Sequence, residues 1–246
     1  MVSIEKKCDF LPKRIILVRH GESLVNEDES VLQHIPNHKI KLSQTGRSQA
    51  RITASKILDM IISPGGSSLL LFYVSPSSRT RETAQEIASR VVPKERVVGV
   101  REECRLREQH FGNFQDLEER RKIKSTRNTY GKFFYRVPQG ESSFIEGLWR
   151  DMEVNKLKCD EELNLVVVSH GLTILLFLMK WFNWTVNEFE ALANPSNCEC
   201  RVLELGHNGE YSLAIHHKPE ELKQWGLSQE MIHDQMIRAS KFYESY

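Results

Sequence analysis

No hydrophobic run in this sequence is long enough to cross a membrane. The longest apolar stretch, Leu172 to Met179, is followed by Lys180, and a membrane-spanning helix needs about 20 apolar residues. The first residues also lack the apolar segment of a signal peptide, while Glu5 and Asp9 are atypical of a transit peptide. We therefore expect a soluble, cytoplasmic protein with no membrane partner.

The sequence also lacks an excess of charge and a framework of cysteines. It contains 34 Lys and Arg residues against 33 Asp and Glu residues, and its formal net charge is +1. This balance excludes the broad basic field that holds nucleic acids, so we expect no nucleic-acid partner and only a local anion site. The five cysteines are odd in number and form no C-x-x-C pair, which is typical of reduced thiols.

Among possible metal sites, a zinc site has the best candidate ligands in the sequence. Cys198, Cys200, His216 and His217 have suitable side chains. Alternate residues of a strand face opposite sides, however, and the two cysteines lie two positions apart in a strand-like stretch. We therefore predict no metal site.

Apolar strands alternate with helical patterns along most of the chain. Short apolar runs predict strands buried on both faces at 14–19, 69–75, 97–100 and 163–169. Helical patterns occupy 43–62, 78–91, 116–130, 142–154 and 171–182. Near the C-terminus, two strand-like stretches flank a turn at 206–209 and predict a hairpin.

This order of elements predicts the α/β class. We expect a three-layer, doubly wound, mostly parallel sheet between helices, with an antiparallel C-terminal hairpin. The chain is predicted to form a single domain, 1–246, whose core spans about 13–217. Residues 218–246 are expected to form a helical tail, with a surface helix or a loosely held segment at 229–243.

Two of the predicted strands end in a histidine followed by a glycine. Arg19, His20 and Gly21 follow the first strand, and His170 and Gly171 follow another strand about 150 residues later. Ligands of doubly wound sheets bind at the carboxyl ends of the strands. Glycine allows close approach of the backbone to a ligand, and the helix that follows directs free N–H groups at an anion. Adjacent strands would thus build a phosphate site between two histidines.

A third strand end fits the same site. Arg79 follows the strand at 69–75 and falls in the first turn of a predicted helix, where its guanidinium is suited to phosphate. Taken alone, Arg79 would be interpreted as a solvated helix residue, and each histidine would be interpreted as a structural residue. Three phosphate-compatible groups at three strand ends favour a binding site over packing.

The motifs in their order resemble those of a known family. LVRHGESLVN, LSQTGRSQA, SPSSRTRETA, LREQHFGNFQ, PQGES and VVSHG resemble the histidine phosphatase superfamily, and specifically its phosphoglycerate mutase branch. The resemblance covers about 13–217, and the chain is most similar to plant phosphoglycerate-mutase-like proteins. It implies an enzyme that carries a phosphoryl group as a phosphohistidine and acts on a small phosphorylated substrate.

The resemblance also implies roles for individual residues. His20 matches the histidine that attacks phosphorus, and Glu108 matches the general acid that later activates water. The remaining catalytic phosphate pocket is matched by Arg19, Arg79 and His170, and further phosphate contacts are expected from Asn26, Ser23 and Gly171. No metal or other cofactor is implied, because the arginines supply the positive charge.

The segment after Gly112 bears on whether the chain is a phosphatase or a mutase. Mutases of the family resemble one another in a long insertion that closes over the substrate, whereas only 22 residues, Asp116 to Val137, follow here. We expect hydrolysis of small phosphomonoesters, in carbohydrate metabolism. A mutase-type isomerase that needs 2,3-bisphosphoglycerate is the alternative. In this basic segment, Arg120, Arg121 and Arg136 are candidates to attract an anionic substrate, or else part of a solvated helix face.

One departure from the family leaves a third possibility open, a catalytically weak phosphate-binding regulatory module. After Ser142 the chain lacks about two turns of a helix that its relatives carry. That helix packs near the phosphate pocket in the family, so its length affects the pocket mouth. Oligomeric state stays open.

Overall fold

The computed structural model describes residues 11–61, 68–109, 116–138 and 162–240. Their strands form one mixed sheet. The strands are β1 (Arg14–Arg19), β2 (Ser68–Val74), β3 (Val97–Glu102), β4 (Glu162–Ser169), β5 (Cys200–Leu205) and β6 (Tyr211–Ser212). They lie in the order β3-β2-β4-β1-β5-β6. The pairs β1–β4, β4–β2 and β2–β3 are parallel, and β5 pairs antiparallel with both β1 and β6. The predicted mostly parallel sheet with an antiparallel hairpin is confirmed.

The α-helices of the described residues lie between these strands or after them. They are α1 (Leu24–Glu27), α2 (Gln44–Ile61), α3 (Ser78–Ser89), α4 (Leu117–Tyr130), α5 (Gly171–Phe182), α6 (Val186–Ala191), α7 (Pro219–Gln224) and α8 (Gln229–Ala239). None of them combines the length and apolarity that crossing a bilayer requires. The helix predicted at 142–154 lies outside the described residues.

Helices cover both faces of the sheet, because successive strand residues point to opposite sides. Ile15 and Leu17 pack into one buried cluster with α5, α6, α7 and α8. Ile16 and Val18 pack into a second cluster with α2 and α3. The central strands are therefore buried on both faces, as their unbroken apolar sequences predict. This arrangement is the three-layer α/β architecture expected from the sequence.

The structure corrects two details of the sequence prediction. β3 is an edge strand, and its Val98 and Val100 side chains are exposed instead of buried on both faces. The C-terminal segment is also held more firmly than predicted, because Met231 and Ile232 of α8 are buried in the main cluster. In addition, the Gln235 side chain accepts a hydrogen bond from Leu213 N at 2.9 Å, which ties α8 to the hairpin.

Candidate active site

The carboxyl ends of β1 and β4 bring the two histidines together. Arg19 pairs in register with Ser169, so His20 and His170 follow at the same edge of the sheet. Their ring centroids are 5.3 Å apart with an interplanar angle of 64°, and both side chains are buried. The parallel pairing of β1 with β4 therefore places side by side two histidines that lie far apart in the sequence.

The corner after β1 is held by close packing between glycines. A Cβ atom on Gly21 would lie 2.6 Å from Gly46 O, and one on Gly46 would collide with Glu22 O. Gly21 N also donates to Thr83 Oγ1 on α3 at 3.0 Å. The start of α2 and the middle of α3 thus fix the backbone on which His20 sits.

Arg79 connects both histidines to the loop before α2. Its Nε donates to His20 Nε2 at 3.2 Å, and its Nη2 lies 3.3 Å from His170 Nδ1. Its Nη1 donates to the carbonyl and side-chain oxygens of Asn37, at 2.8 and 3.1 Å. The guanidinium therefore has a fixed orientation at the centre of the site.

These contacts define the tautomer of each imidazole. A guanidinium only donates, so the ring nitrogens that face Arg79 carry lone pairs. His20 Nδ1 accordingly donates to Gly21 O at 2.7 Å, and His170 Nε2 donates to Ser75 Oγ at 2.8 Å. Burial, followed by the positive charge of Arg79, lowers the pKa of His20 to about 3 and the pKa of His170 well below its usual value. His20 therefore presents an unprotonated Nε2, which is the form a nucleophile requires.

Arg19 contributes a buried donor that no described residue satisfies. Its Nη1 donates to Pro195 O at 2.5 Å, whereas its Nε is buried without a hydrogen-bond partner in the described ranges. An unmet charged donor in a buried site is costly. Because Arg19 lines the same cavity as His20 and Arg79, a phosphate oxygen is a fitting partner for it.

Glu108 lies beside the same His170 Nδ1 that Arg79 contacts, and it lines the cavity. Its Oε2 is 3.5 Å from His170 Nδ1, and its side chain is 23% exposed. Burial raises the pKa of Glu108, although the charges of Arg79 and Arg19 act in the opposite direction. A carboxyl group with a raised pKa holds a proton closer to neutral pH, which suits a general acid.

The cavity in front of these groups has a volume of about 410 Å³. Asn26 and Gly171 line it, together with Arg19, His20, Arg79 and Glu108. Asn26 Oδ1 accepts hydrogen bonds from Ser23 N at 3.0 Å and Ser23 Oγ at 2.8 Å, so its amide NH₂ is the group available to a phosphate. Ser23 is fully buried and does not line the cavity. Its predicted phosphate contact is therefore replaced by a role in orienting Asn26.

The described parts of the chain contain no group of three His, Cys, Asp or Glu side chains arranged to hold a metal ion. Burial raises the pKa of the Cys198 and Cys200 thiols to about 12, so both are protonated at neutral pH in the absence of a metal ion.

Several residues that shape the site carry no recognisable signal in the sequence. Asn37 orients Arg79, Ser75 orients His170, and Thr83 both accepts from Gly21 N and donates to Arg79 O. Asn194 lines the cavity and lies against Gly171, where a Cβ atom would collide with its side chain. These residues come from loops and helix faces far apart in sequence, so only the tertiary fold assembles them.

The basic segment contributes to the cavity through residues that differ in part from those predicted. Arg120 lines the cavity, as do Lys124, Arg127 and Lys132. Arg121 instead points to the surface, where its side chain is 67% exposed and its Nε lies 3.6 Å from Glu29. Arg136 is exposed and outside the cavity lining. The facing of α4 therefore gives Arg121 the solvated position that the sequence had left as the alternative, and Arg136, which follows α4, also lies outside the cavity lining.

The chain is similar to several known proteins. The chain is 51% identical to the phosphoglycerate mutase-like protein AT74H of Arabidopsis thaliana, over 95% of this chain and 88% of that protein. It is 28% identical to the broad-range acid phosphatase DET1 of Saccharomyces cerevisiae, over 79% and 86% of the two chains. The solved structure of a mycobacterial glucosyl-3-phosphoglycerate phosphatase has the same fold, with a TM-score of 0.57 and 22% identity over 81% and 96%. The family model described as histidine phosphatase superfamily (branch 1) matches residues 15–217, and the chain belongs to this superfamily.

Proposed function

We propose that this enzyme hydrolyses small phosphomonoesters through a phosphohistidine on His20, without a metal ion. The observation that carries the proposal is the unprotonated Nε2 of His20, which faces Arg79 and lines the cavity shared with Arg19 and Glu108. This arrangement supplies a nucleophile, fixed positive charge and a proton donor. We place the reaction in the cytoplasm. The sequence resemblance implies a role in carbohydrate metabolism.

In the first step, the substrate phosphate displaces the contacts that Arg79 makes with the two imidazoles. His20 Nε2 then attacks phosphorus, the bond from phosphorus to the ester oxygen breaks, and Glu108 donates its proton to the leaving alkoxide. Arg19 and Arg79 stabilise the charge that spreads over the transferring oxygens. The products of this step are a free alcohol and a phosphorylated His20.

In the second step, the ionised Glu108 accepts a proton from water, and the resulting hydroxide attacks phosphorus. The phosphorus–nitrogen bond breaks, inorganic phosphate leaves, and His20 and the protonated Glu108 are restored. Since the fixed guanidinium groups supply the charge, neither step requires a metal ion. The same two steps would let a phosphorylated enzyme return its group to a second substrate oxygen if water were excluded, which is the mutase alternative.

Two observations favour hydrolysis over the mutase alternative. The segment of 22 residues after Gln115 is shorter than the substrate-covering insertion of mutases. Two of the similar proteins are described as phosphatases, one a broad-range acid phosphatase and the other specific for glucosyl-3-phosphoglycerate. A site that only binds phosphate would have no need of a buried, unprotonated imidazole in the cavity lining, which argues against the regulatory module.

The proposal is tested by phosphate release from p-nitrophenyl phosphate, phosphoglycerates and sugar phosphates in the presence of EDTA. We expect turnover that persists in the chelator and is lost in His20→Ala. The matched control is His207→Ala, which removes an exposed histidine of the hairpin turn and should leave turnover unchanged. Loss of wild-type activity in EDTA, or activity that survives in His20→Ala, would refute the mechanism. Interconversion of 2- and 3-phosphoglycerate faster than phosphate release would establish the mutase instead.

A further inference from the structure

The loop between α6 and β5, residues 192–199, contacts both Arg19 and His20. Pro195 O accepts a hydrogen bond from Arg19 Nη1 at 2.5 Å, and Asn197 Nδ2 donates to His20 O at 3.1 Å. One of these contacts holds a guanidinium of the phosphate pocket, and the other holds the backbone of the nucleophile. The position of the loop therefore determines where both groups lie.

Arg201 of β5 holds this loop, although it takes no part in the proposed reaction. Its side chain is 1% exposed, its Nε donates to Glu199 Oε1 at 3.1 Å, and its Nη2 donates to Ala193 O at 2.9 Å. Glu199 Oε2 in turn accepts a hydrogen bond from Ser196 N at 2.7 Å. The two side chains thus fix the loop backbone on either side of Pro195.

The loop contains a backbone conformation that its surroundings must enforce. Cys198 has a φ of +58°, in the left-handed region that residues other than glycine seldom adopt. Its N–H donates to Arg19 O at 3.1 Å, and its carbonyl accepts from Thr53 Oγ1 of α2 at 3.0 Å. Strained residues persist where neighbouring contacts over-determine the backbone, and they cluster at ligand sites. The strained turn therefore ties the end of β1 to the loop and to α2.

Stability alone does not account for the buried charge of Arg201. Its Cζ lies 4.6 Å from the centre of the ring of Trp225, a residue of the main buried cluster, and its Nη1 has no hydrogen-bond partner among the described residues. Burial lowers the pKa of Arg201, and the charge of Glu199 opposes the shift. Apolar side chains of similar size are often as stable as a buried ion pair. A role in placing the loop accounts for an arginine here, because its donors reach Glu199 and Ala193 O at once.

We propose that Arg201 and Glu199 are positioning residues for the phosphate-binding guanidinium of Arg19. By holding Pro195 O in place, they keep Arg19 Nη1 occupied and leave its buried Nε, which no described residue satisfies, for a phosphate oxygen. The inference rests on the proposed phosphatase function, in which Arg19 stabilises the transferring oxygens, and it adds two residues that act through Arg19. A displacement of about 1 Å in such a group is enough to weaken catalysis.

The test is a double-mutant cycle on the binding of inorganic phosphate, measured by calorimetric titration. Arg201→Met approximates the volume of the side chain but removes its charge and its donors, and Arg19→Met does the same in the pocket. We expect Arg201→Met to raise the Kd for phosphate about tenfold, the effect of losing one charge-assisted hydrogen bond. In the Arg19→Met background, Arg201→Met should change the Kd by less than about twofold, because its effect passes through Arg19. A general structural role would weaken binding equally in both backgrounds.

Arg14→Met provides the matched control for this measurement. Arg14 is also a buried, paired arginine, and its Nε donates to Glu204 Oε2 at 3.1 Å, but it lies at the opposite end of β1 from the site. The variant should keep the wild-type Kd even if it lowers stability, and urea unfolding identifies conditions in which every variant is folded. If Arg201→Met does not fold, Glu199→Ala releases Arg201 Nε and Ser196 N and should raise the Kd in the same direction.

The outcomes distinguish this inference from the proposed function. A wild-type Kd in Arg201→Met and Glu199→Ala, or an equal effect of Arg201→Met with and without Arg19, would overturn the positioning role alone. So would a Kd that Arg19→Met leaves unchanged, since Arg19 would then not bind phosphate. The expected cycle, combined with no His20-dependent turnover of phosphomonoesters by wild type, would overturn the function and leave Arg201 and Glu199 as positioning residues of a phosphate-binding site.

Discussion

The buried, neutral state of His20 predicts a specific dependence of stability on pH. The pKa of His20 is lowered to about 3 in the folded protein, whereas an unfolded histidine titrates near 6.5. Below pH 6.5 the unfolded chain therefore takes up a proton that the folded chain does not. His20 costs no stability at pH 8, and its contribution to the free energy of unfolding falls as the pH drops from about 6.5 to about 3.

The size of this effect follows from the two pKa values. Each pH unit between them changes the free energy of unfolding by about 1.4 kcal/mol per histidine, so His20 alone accounts for a loss of about 2 kcal/mol between pH 8 and pH 5. His170 acts with the same sign, because its pKa is also lowered. Glu108 acts with the opposite sign, because its raised pKa makes the folded state retain a proton above the pKa of the unfolded carboxyl.

Urea unfolding of wild type and His20→Asn at pH 8 and pH 5 measures this effect. The variant removes the titrating group, so its loss of stability between the two pH values should be smaller than that of wild type by about 2 kcal/mol. His207→Asn, at an exposed position, should follow the wild-type curve. If His20→Asn loses as much stability as wild type, then His20 is not held neutral in the folded protein, and its assignment as a ready nucleophile fails.

Three further substitutions test other parts of the site. Arg79→Lys removes the fork that contacts both imidazoles and Asn37, so kcat/KM for phosphomonoesters should fall about 10²- to 10³-fold. Glu108→Gln should lower kcat about 10²-fold or more for alkyl phosphates, while p-nitrophenyl phosphate, whose leaving group needs no proton, should give a burst of p-nitrophenol followed by slow turnover. Gly46→Ala places a Cβ against the backbone of Glu22, so the free energy of unfolding in urea should fall by about 1–3 kcal/mol.

The sequence was sufficient to predict the parts of the fold that depend on local patterns. β1 has the predicted bounds, because an apolar run flanked by polar residues predicts the two ends of a strand from the local sequence alone. The sequence also anticipated that His20 and His170 meet, since parallel strands present their carboxyl ends at one edge. The exposure of β3 could not be predicted in this way. An apolar run of four residues looks the same in a central strand and in an edge strand, and only the strand order decides between them.

The positions of individual side chains in the site depended on tertiary contacts. Asn37 and Thr83 orient Arg79 and the backbone of Gly21, yet each is an ordinary polar residue in its own segment. The facing of α4 likewise separates Arg120, in the cavity, from Arg121, at the surface. A charge pattern predicts that a helix is basic, but the neighbouring elements decide which of its charges face the ligand.

The identity of the phosphorylated residue is the most direct test of the account. We would mix Glu108→Gln, in which hydrolysis of the intermediate is slowed, with p-nitrophenyl phosphate, quench in alkali, and locate the phosphoryl group by peptide mass spectrometry. The account predicts an acid-labile phosphoryl group on His20 that approaches one per chain and is absent from Glu108→Gln carrying His20→Ala. A phosphoryl group on another residue, or turnover of substrate with no trapped intermediate, would contradict it.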